Sequence, residues 1–420
     1  MNTRPASTFA ALSLILFACG CRSALTPLPP KETRTYQSLL EWTCQNGTPG
    51  AVLLVKTPTT NFIGNIGYAD VKRKIPMQAD HEFRIGSITK TFTGIAAAQL
   101  DAEGILDSEK VITNYLPASI TSHIRNSNRI TVRQLVRHTS GIDNYNSHFF
   151  YMLRRYLLNR RDAWPPLREL KYTYDQPARF PPGEGWEYSN SNFLLLGLII
   201  DRLTELHHSV EIRKRLLDPL QLTNTYYELN EPPIGELAHG YERLLGFRQD
   251  CYDWTPIVGG NSGLVSTVSD LAVFIRAVKG TNGFLNQATR DLLRSQPNPK
   301  SINRSWYPVL GYDFGVNHYR GANDDVSLSV APIFFGHSGA VPGYSCFAWH
   351  EPEHDITVVF FGNSAQLDGL HPRRTLEFEH VLENAVLELA VEQRRRTSAG
   401  KSPEGNDWGN RKEARPPARE

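Results

Sequence analysis

Cysteine is scarce in this chain, at five in 420 residues. Cys19 and Cys21 crowd the N-terminus; the other three, Cys44, Cys251 and Cys346, are odd in number and far apart. No disulfide framework is implied, and each of the three reads as a small buried apolar residue, not a reactive thiol. An excess of charge is missing too. Lysine and arginine number 45 against 43 acidic residues, for a formal charge of +2, which gives no case for a nucleic-acid partner. The apolar run 9–18 falls short of the ~20 residues that a membrane-spanning helix needs. No internal repeat is present, and no linker cuts the chain into independent domains. What remains is an ordinary globular composition, 40% hydrophobic and 21% charged, in a chain long enough for a sizeable core.

The N-terminus carries an address. Arg4 ahead of the run 9–18, with small residues around Ala18, reads as a secretory signal removed on maturation. The run closes in Leu16-Phe17-Ala18-Cys19, which resembles a bacterial lipoprotein signal with Cys19 as the lipidated first residue. Cys21 is the alternative, with Ala18 then standing where a larger aliphatic residue is usual. The expected layout is a signal peptide at 1–18, a tether at 19–33, a folded domain at 34–394 and a disordered basic tail at 395–420. From about Thr397 that tail has almost nothing apolar to bury. The protein is therefore expected to cross the inner membrane and stay in the cell envelope, on the periplasmic side, held to the membrane by its lipid.

Within the domain, Tyr36, Leu39, Leu40 and Trp42 have the spacing of an amphipathic helix, and strand-like runs follow at 51–55 and 61–68. A helical pattern runs from Ser87 to about Leu100, and a long stretch to about Val278 is mostly helix and loop. Strand character returns at 332–335, 344–349 and 356–361, before a final helix over 375–394. The simplest architecture is α+β. Early and late strands pair in one antiparallel sheet, the first and last helices cover it, and the middle forms a mostly helical lobe.

Ser87 and Lys90 stand three apart at the start of the first long helical pattern, within Phe83-Arg84-Ile85-Gly86-Ser87-Ile88-Thr89-Lys90. Residues i and i+3 share a helical face, so the amine can reach the hydroxyl. A helix start also offers free backbone N–H groups to the oxyanion that a serine's attack creates. Two further elements follow in order, Pro182-Gly183-Glu184-x-x-x-Tyr188-Ser189-Asn190 and Gly336-His337-Ser338-Gly339. Around them lie Leu135 to Ile142, Asp218-Pro219-Leu220 with Thr223 to Thr225, and Gly260-Asn261-Ser262-Gly263-Leu264.

This ordered set, over roughly Gln45 to Ala390, resembles the class C β-lactamase family and its relatives among serine D,D-peptidases and esterases. The resemblance implies the serine β-lactamase/transpeptidase-like fold and a serine hydrolase that cleaves an amide or ester bond through an acyl-enzyme. Ser87 would be the nucleophile. Tyr188 would be the general base and then acid, kept partly ionised by the Lys90 charge, the two titrating as one unit. Asn190 would hydrogen-bond the substrate amide or the lysine. The backbone N–H groups of Ser87 and Ala340 would form the oxyanion hole, with His337, Ser338 and Gly339 lining the pocket. Many β-lactamases have lysine where His337 stands, and a neutral imidazole cannot supply that charge at pH 7. A D,D-peptidase or esterase is therefore the expected activity, acting on a small-molecule or peptidoglycan-type substrate with no cofactor or metal. A true β-lactamase is one alternative. A penicillin-binding sensor without turnover is another, although a sensor has no use for the deacylating base that Tyr188 supplies.

Three other patterns lead elsewhere. His350-Glu351-Pro352-Glu353-His354 spells a zinc-protease motif, but Pro352 would break the helix that the motif requires, so a turn between strands is expected. Gly336-His337-Ser338-Gly339 lacks the second glycine and the following helix of a nucleophile elbow. His138 sits in a loop that the resemblance makes structural.

Overall fold

The computed structural model describes residues 25–158, 160–162, 164–244, 247–279, 283–293, 309–320, 332–365 and 372–398. Cys19, Cys21, the 1–18 leader and the tail beyond Ser398 lie outside the described residues.

The early strand runs are cut by Gly47 and the polar turn at 57–60, which leaves β1 at Gly50–Lys56 and β2 at Asn61–Asp70. Short strands β3 (Ile75–Pro76), β4 (Phe83–Arg84), β5 (Tyr226–Tyr227), β6 (Tyr241–Leu244), β7 (Phe247–Asp250) and β8 (Leu264–Ser266) follow. The late strands are β9 (Val309–Asp313), β10 (Val316–Arg320), β11 (Ile333–Val341), β12 (Tyr344–Glu351) and β13 (Ile356–Gly362). The main sheet has the order β3-β2-β1-β13-β12-β11-β10-β9, and its paired strands are antiparallel. Strand β1 joins the two ends of the chain through pairs such as Leu53↔Phe360 and Val52↔Phe361.

Both faces of this sheet are covered, so its central strands are apolar throughout rather than alternating. Side chains still alternate in direction. Val52, Leu54, Cys346, Ala348, Val359 and Phe361 face the helical lobe. Ala51, Leu53, Val55, Phe347, Trp349, Val358 and Phe360 face the terminal helices. The first of those, Tyr36–Gln45, opens on a capping box in which the Thr35 side chain takes the Ser38 N–H and Ser38 returns the bond. Its Trp42 stacks on Phe378 of the last helix, with ring centres 5.2 Å apart.

Two boundaries differ from the sequence expectation. The last helix spans Pro372–Ser398, so the first residues of the expected tail extend it; Arg394 to Arg396 are good helix formers and no breaker precedes them. The second half of the expected tether is docked. Thr26 accepts the Trp42 indole N–H at 2.8 Å, and its own N–H goes to Asn46 Oδ1 at 2.9 Å, while Leu25 and Leu28 pack against the helix-side core.

The lobe is built around two buried helices, Thr89–Ala102 and Asn190–Thr204. A small sheet, β4-β8-β5, lies beside them and carries the chain into the Ser87 turn. Arg84 of β4 is locked by a bidentate pair with Glu228 (2.8 and 2.9 Å), and the Ile85 N–H donates to Leu264 at 3.0 Å. The residue just before the turn is thus held from both sides.

Candidate active site

Ser87 sits in a single 3-10 turn, Gly86–Ile88, that leads directly into the helix Thr89–Ala102. The tightened first turn brings Lys90 back over it. Lys90 Nζ is 2.9 Å from Ser87 Oγ and 3.0 Å from the Asn261 carbonyl oxygen. Lys90 has no solvent exposure, whereas Ser87 is partly open. Tyr188 comes from the loop before the second lobe helix, and its hydroxyl donates to the same Oγ at 3.0 Å. One serine oxygen therefore meets an amine and a phenol, with the Lys90 Nζ lying 5.1 Å from the centre of the Tyr188 ring.

Burial drives both partners toward their neutral forms. It holds the Lys90 ammonium well below the ordinary lysine range and pushes the Tyr188 phenol up, against a smaller opposing effect from the Ser87 hydrogen bond. This corrects the expectation of a partly ionised phenol. Desolvation disfavours the phenolate as well as the ammonium, so the group ready to take a proton is the lysine amine.

Of the two partners expected for Asn190, the substrate amide or the lysine, the lysine is not met. Its backbone N–H and Nδ2 go to Asn144 Oδ1, at 3.0 and 3.4 Å, and the Lys90 hydrogen bonds are to Ser87 and Asn261 instead. Asn190 stays at the head of its helix, two residues after Tyr188. The role of the Asn261 carbonyl was not assigned from sequence. Its signal was the segment Gly260-Asn261-Ser262-Gly263-Leu264, which carried the resemblance without a role for Asn261.

The third element lies on β11. Pairing with β10 stops at Asn317↔Gly336, while pairing with β12 continues to Val341↔Tyr344. Among the described strands, residues 337–341 therefore keep an unpaired edge, and that edge faces the Ser87 turn. Approach is close enough to exclude side chains. A Cβ on Gly339 would fall 2.2 Å from the Ile85 oxygen and 3.1 Å from Ser87 N. Gly86, at φ +50°, would place one 3.0 Å from Ala340 N. The two backbone nitrogens expected to form the oxyanion hole thus lie where the Ser87 turn and this strand edge approach each other. Ser338 is partly exposed and Ala340 exposed on this edge.

His337 is buried and neutral. Burial lowers its pKa to about 3, and the Tyr312 hydroxyl lies 3.2 Å from its Nε2. His138 forms the floor beneath Tyr188, its ring 4.5 Å from the tyrosine ring. Its Nδ1 lies 3.3 Å from the Ser189 backbone nitrogen and 3.1 Å from Asn192 Nδ2, which fixes the loop-to-helix turn carrying Tyr188. The zinc-protease pattern does not assemble. His350 lies on β12 against Thr357, while His354 lies in the following turn against Glu351.

A serine shared by a buried lysine and a tyrosine, at the open edge of an antiparallel sheet, is the site of a serine hydrolase of the β-lactamase-related fold. The Beta-lactamase family model matches residues 33–381, and the chain belongs to that family. Penicillin-binding protein 4* of Bacillus subtilis (strain 168) is 23% identical over 350 residues, covering 79% of this chain and 72% of the relative. Protein flp of Staphylococcus aureus (strain MRSA252) is 29% identical over 343 residues, 78% of this chain but 62% of flp, so the chain spans less than two thirds of that relative. Among solved structures, a D-stereospecific amidohydrolase from Streptomyces sp. superposes with a TM-score of 0.66 at 26% identity, covering 81% of this chain and 96% of the other. The D-amino acid amidase of Ochrobactrum anthropi SV3 shares the fold, with a TM-score of 0.70 at 24% identity over 86% of this chain and 98% of its own.

Proposed function

We propose that the protein hydrolyses an amide or ester bond through an acyl-enzyme on Ser87, with Lys90 as the base. The observation that carries this reading is the convergence of Lys90 Nζ and the Tyr188 hydroxyl on Ser87 Oγ, at 2.9 and 3.0 Å. Ser87 Oγ bonds to the substrate carbonyl carbon as its proton passes to the Lys90 amine. The carbonyl oxygen becomes an oxyanion between Ser87 N–H and Ala340 N–H. Collapse breaks the bond to the leaving amine or alcohol, which takes a proton from Tyr188; the phenol recovers it from the Lys90 ammonium. Water then adds to the acyl carbon and loses a proton to Lys90; collapse breaks the bond between the acyl carbon and Ser87 Oγ, which takes that proton from the Lys90 ammonium and is a hydroxyl again.

A neutral His337 favours a D,D-peptidase or esterase over a β-lactamase, since no fixed cation stands there to hold a β-lactam carboxylate. The names of the penicillin-binding and D-stereospecific amidohydrolase relatives support an amide-type substrate. Steady-state assays with an aryl ester, a peptide ending in D-Ala-D-Ala and a penicillin test this. Multiple turnovers of the ester or the peptide are expected, with a slowly released penicillin adduct. A single equivalent of product from all three would make the protein a sensor.

The pH profile should identify the base. Lys90 acts as the free amine, so kcat/KM should be full above its pKa and fall as pH drops through it. Because burial lowers that pKa, the acid limb should lie well below the ~10.4 of a free lysine. Activity that rises only above pH ~10 would remove Lys90 from the role.

The chain is further proposed to reach the cell envelope as a lipoprotein, on the strength of Leu16-Phe17-Ala18-Cys19. Labelled fatty acid should enter the wild-type protein, and Cys19→Ser should block this and leave the precursor uncleaved. Unlabelled wild-type protein would leave only an ordinary signal peptide.

A further inference from the structure

Two histidines stand side by side at the corner where the second lobe helix ends. Asn190–Thr204 stops at the left-handed Glu205, φ +57°, and two residues on His207 caps the short helix His208–Ile212. This corner folds both histidines back over Asp201, in the last turn of the longer helix. The two imidazole rings lie 4.0 Å apart, centre to centre. One atom able to ligate a metal, from each of Asp201, His207 and His208, lies within 4.8 Å of the other two. His208 is buried, while Asp201 and His207 are partly open and line a cleft with Leu116, Ile120 and Leu198.

The hydrogen bonds around His208 fix where its proton sits. Its Nε2 is 2.9 Å from the hydroxyl of Tyr227 on β5. That hydroxyl accepts the Gly259 N–H at 2.9 Å and lies 2.6 and 2.9 Å from the Gly259 and Ser262 carbonyl oxygens. A phenol has one proton, and here it goes to the carbonyls, which can only accept. His208 Nε2 therefore carries a proton and donates it to Tyr227. The other ring nitrogen, Nδ1, faces Asp201 Oδ1 at 2.9 Å, and the same Oδ1 takes the His208 backbone N–H. A neutral imidazole has one N–H, so Nδ1 is an acceptor looking at an acceptor. Such a pair needs a cation between its members, either a second proton or a metal ion. The helix adds to that need, because Asp201 stands at the negative end of its dipole.

We propose that Asp201, His207 and His208 bind one zinc-class divalent ion, with water as the fourth ligand. Two imidazoles and a carboxylate suit zinc, whose bonds to them are ~2.0–2.2 Å long, so Asp201 and His208 can share it as they stand. His207, on the open side, can swing onto it. Its Nδ1 lies 2.8 Å from Ser209 Oγ and 3.2 Å from the Ser209 backbone nitrogen. When the ring donates to the hydroxyl, the shorter contact, Nε2 keeps the lone pair that a metal takes. Both imidazoles then have the outer hydrogen-bond partner that ligating histidines use, Ser209 for one and Tyr227 for the other. A second proton would serve only the Asp201–His208 pair, whereas a metal ion employs all three side chains. The ion ties the end of one helix to the start of the next. Through His208 and Tyr227 it also braces the turn 259–262, whose Asn261 carbonyl holds Lys90. No step of the acyl transfer runs through it, and the proposal does not depend on that reaction.

The test uses the untagged full-length enzyme, stripped by a chelator that is then dialysed away. Zn²⁺ is titrated in competition with a chromophoric chelator, and Co²⁺ serves as its spectroscopic stand-in. One equivalent should bind per chain, with the visible bands of tetrahedral Co²⁺, and the melting temperature should rise with free Zn²⁺. His207→Asn keeps a side chain able to cap the short helix but removes the imidazole. It should melt like the metal-free wild type and bind Zn²⁺ more weakly by at least the ~10–100-fold that losing even an outer partner costs. Asp201→Asn should weaken binding as much. His354→Ala should bind as wild type; it lies in the turn where Glu351, Glu353 and His354 form the other such grouping among the described residues. No saturable Zn²⁺ binding up to ~100 µM, or undiminished affinity in His207→Asn, overturns the proposal and leaves a proton between His208 and Asp201. Binding lost in His354→Ala overturns it too, and moves the ion to that turn.

Discussion

Replacing Lys90 by methionine is expected to lower turnover at pH 7 by at least the ~10²–10⁴-fold that acid–base catalysis contributes. The aliphatic stem keeps its place in the lobe, while the basic nitrogen bonded to Ser87 Oγ is gone. Tyr188→Phe should cost a similar factor, because the ring still packs on His138 and only the hydroxyl bond to Oγ is removed. The double variant should be little worse than the worse single one, since groups that serve one proton path are not additive. Multiplicative losses would assign the two residues to separate steps. Near-wild-type turnover in Tyr188→Phe would leave Lys90 to move both protons alone.

Stability should change in the opposite sense to activity. Lys90 is fully buried with a pKa lowered in the folded state, so between that value and the ~10.4 of the unfolded chain the unfolded state binds the extra proton. The wild-type protein therefore loses stability as pH falls through this window. Lys90→Met lacks the group and should lack that slope, with a melting temperature at pH 7 no lower than wild type. A Lys90→Met variant that melts earlier at every pH would mean that the amine also holds the Asn261 turn together.

Much of this molecule is legible in the chain because function here depends on local spacing. Ser87 and Lys90 share a helical turn, and their contact follows from i and i+3 alone. The closure of β1 on β13 was legible too, since apolar strand runs at both ends of a single domain need a partner. The hairpin β9–β10 was not. Gly311, Asn317, His318 and Arg320 interrupt its apolar pattern, and its order comes from pairing with β11, a non-local contact. Protonation was misread for a similar reason. Placing Lys90 beside Tyr188 suggests that each ionises the other, and only the packing around them shows that both are desolvated. Asn190 was assigned by its motif to the substrate amide or the lysine, and the lysine is not its partner. Asn144, from a loop whose conformation no pattern announces, takes its bonds instead.

Removal of the nucleophile should have the largest effect of all. Ser87→Ala deletes the oxygen on which Lys90 and Tyr188 converge and leaves the fold intact, because that oxygen contributes nothing to the apolar core. Turnover of any ester or amide substrate should fall to background, since neither the amine nor the phenol can then form the covalent intermediate. The partly exposed Ser338, on the facing strand edge, is the next serine to test. Its backbone lies on the oxyanion side, and no hydrogen bond ties its hydroxyl to either base among those seen for Lys90 and Tyr188. The decisive measurement is the intact mass of the protein quenched milliseconds after mixing with an aryl ester, followed by peptide mapping. The account predicts a mass gain of one acyl group, carried by the peptide that contains Ser87 and absent from Ser87→Ala. An acyl group mapped to Ser338, or one that survives in Ser87→Ala, would contradict it.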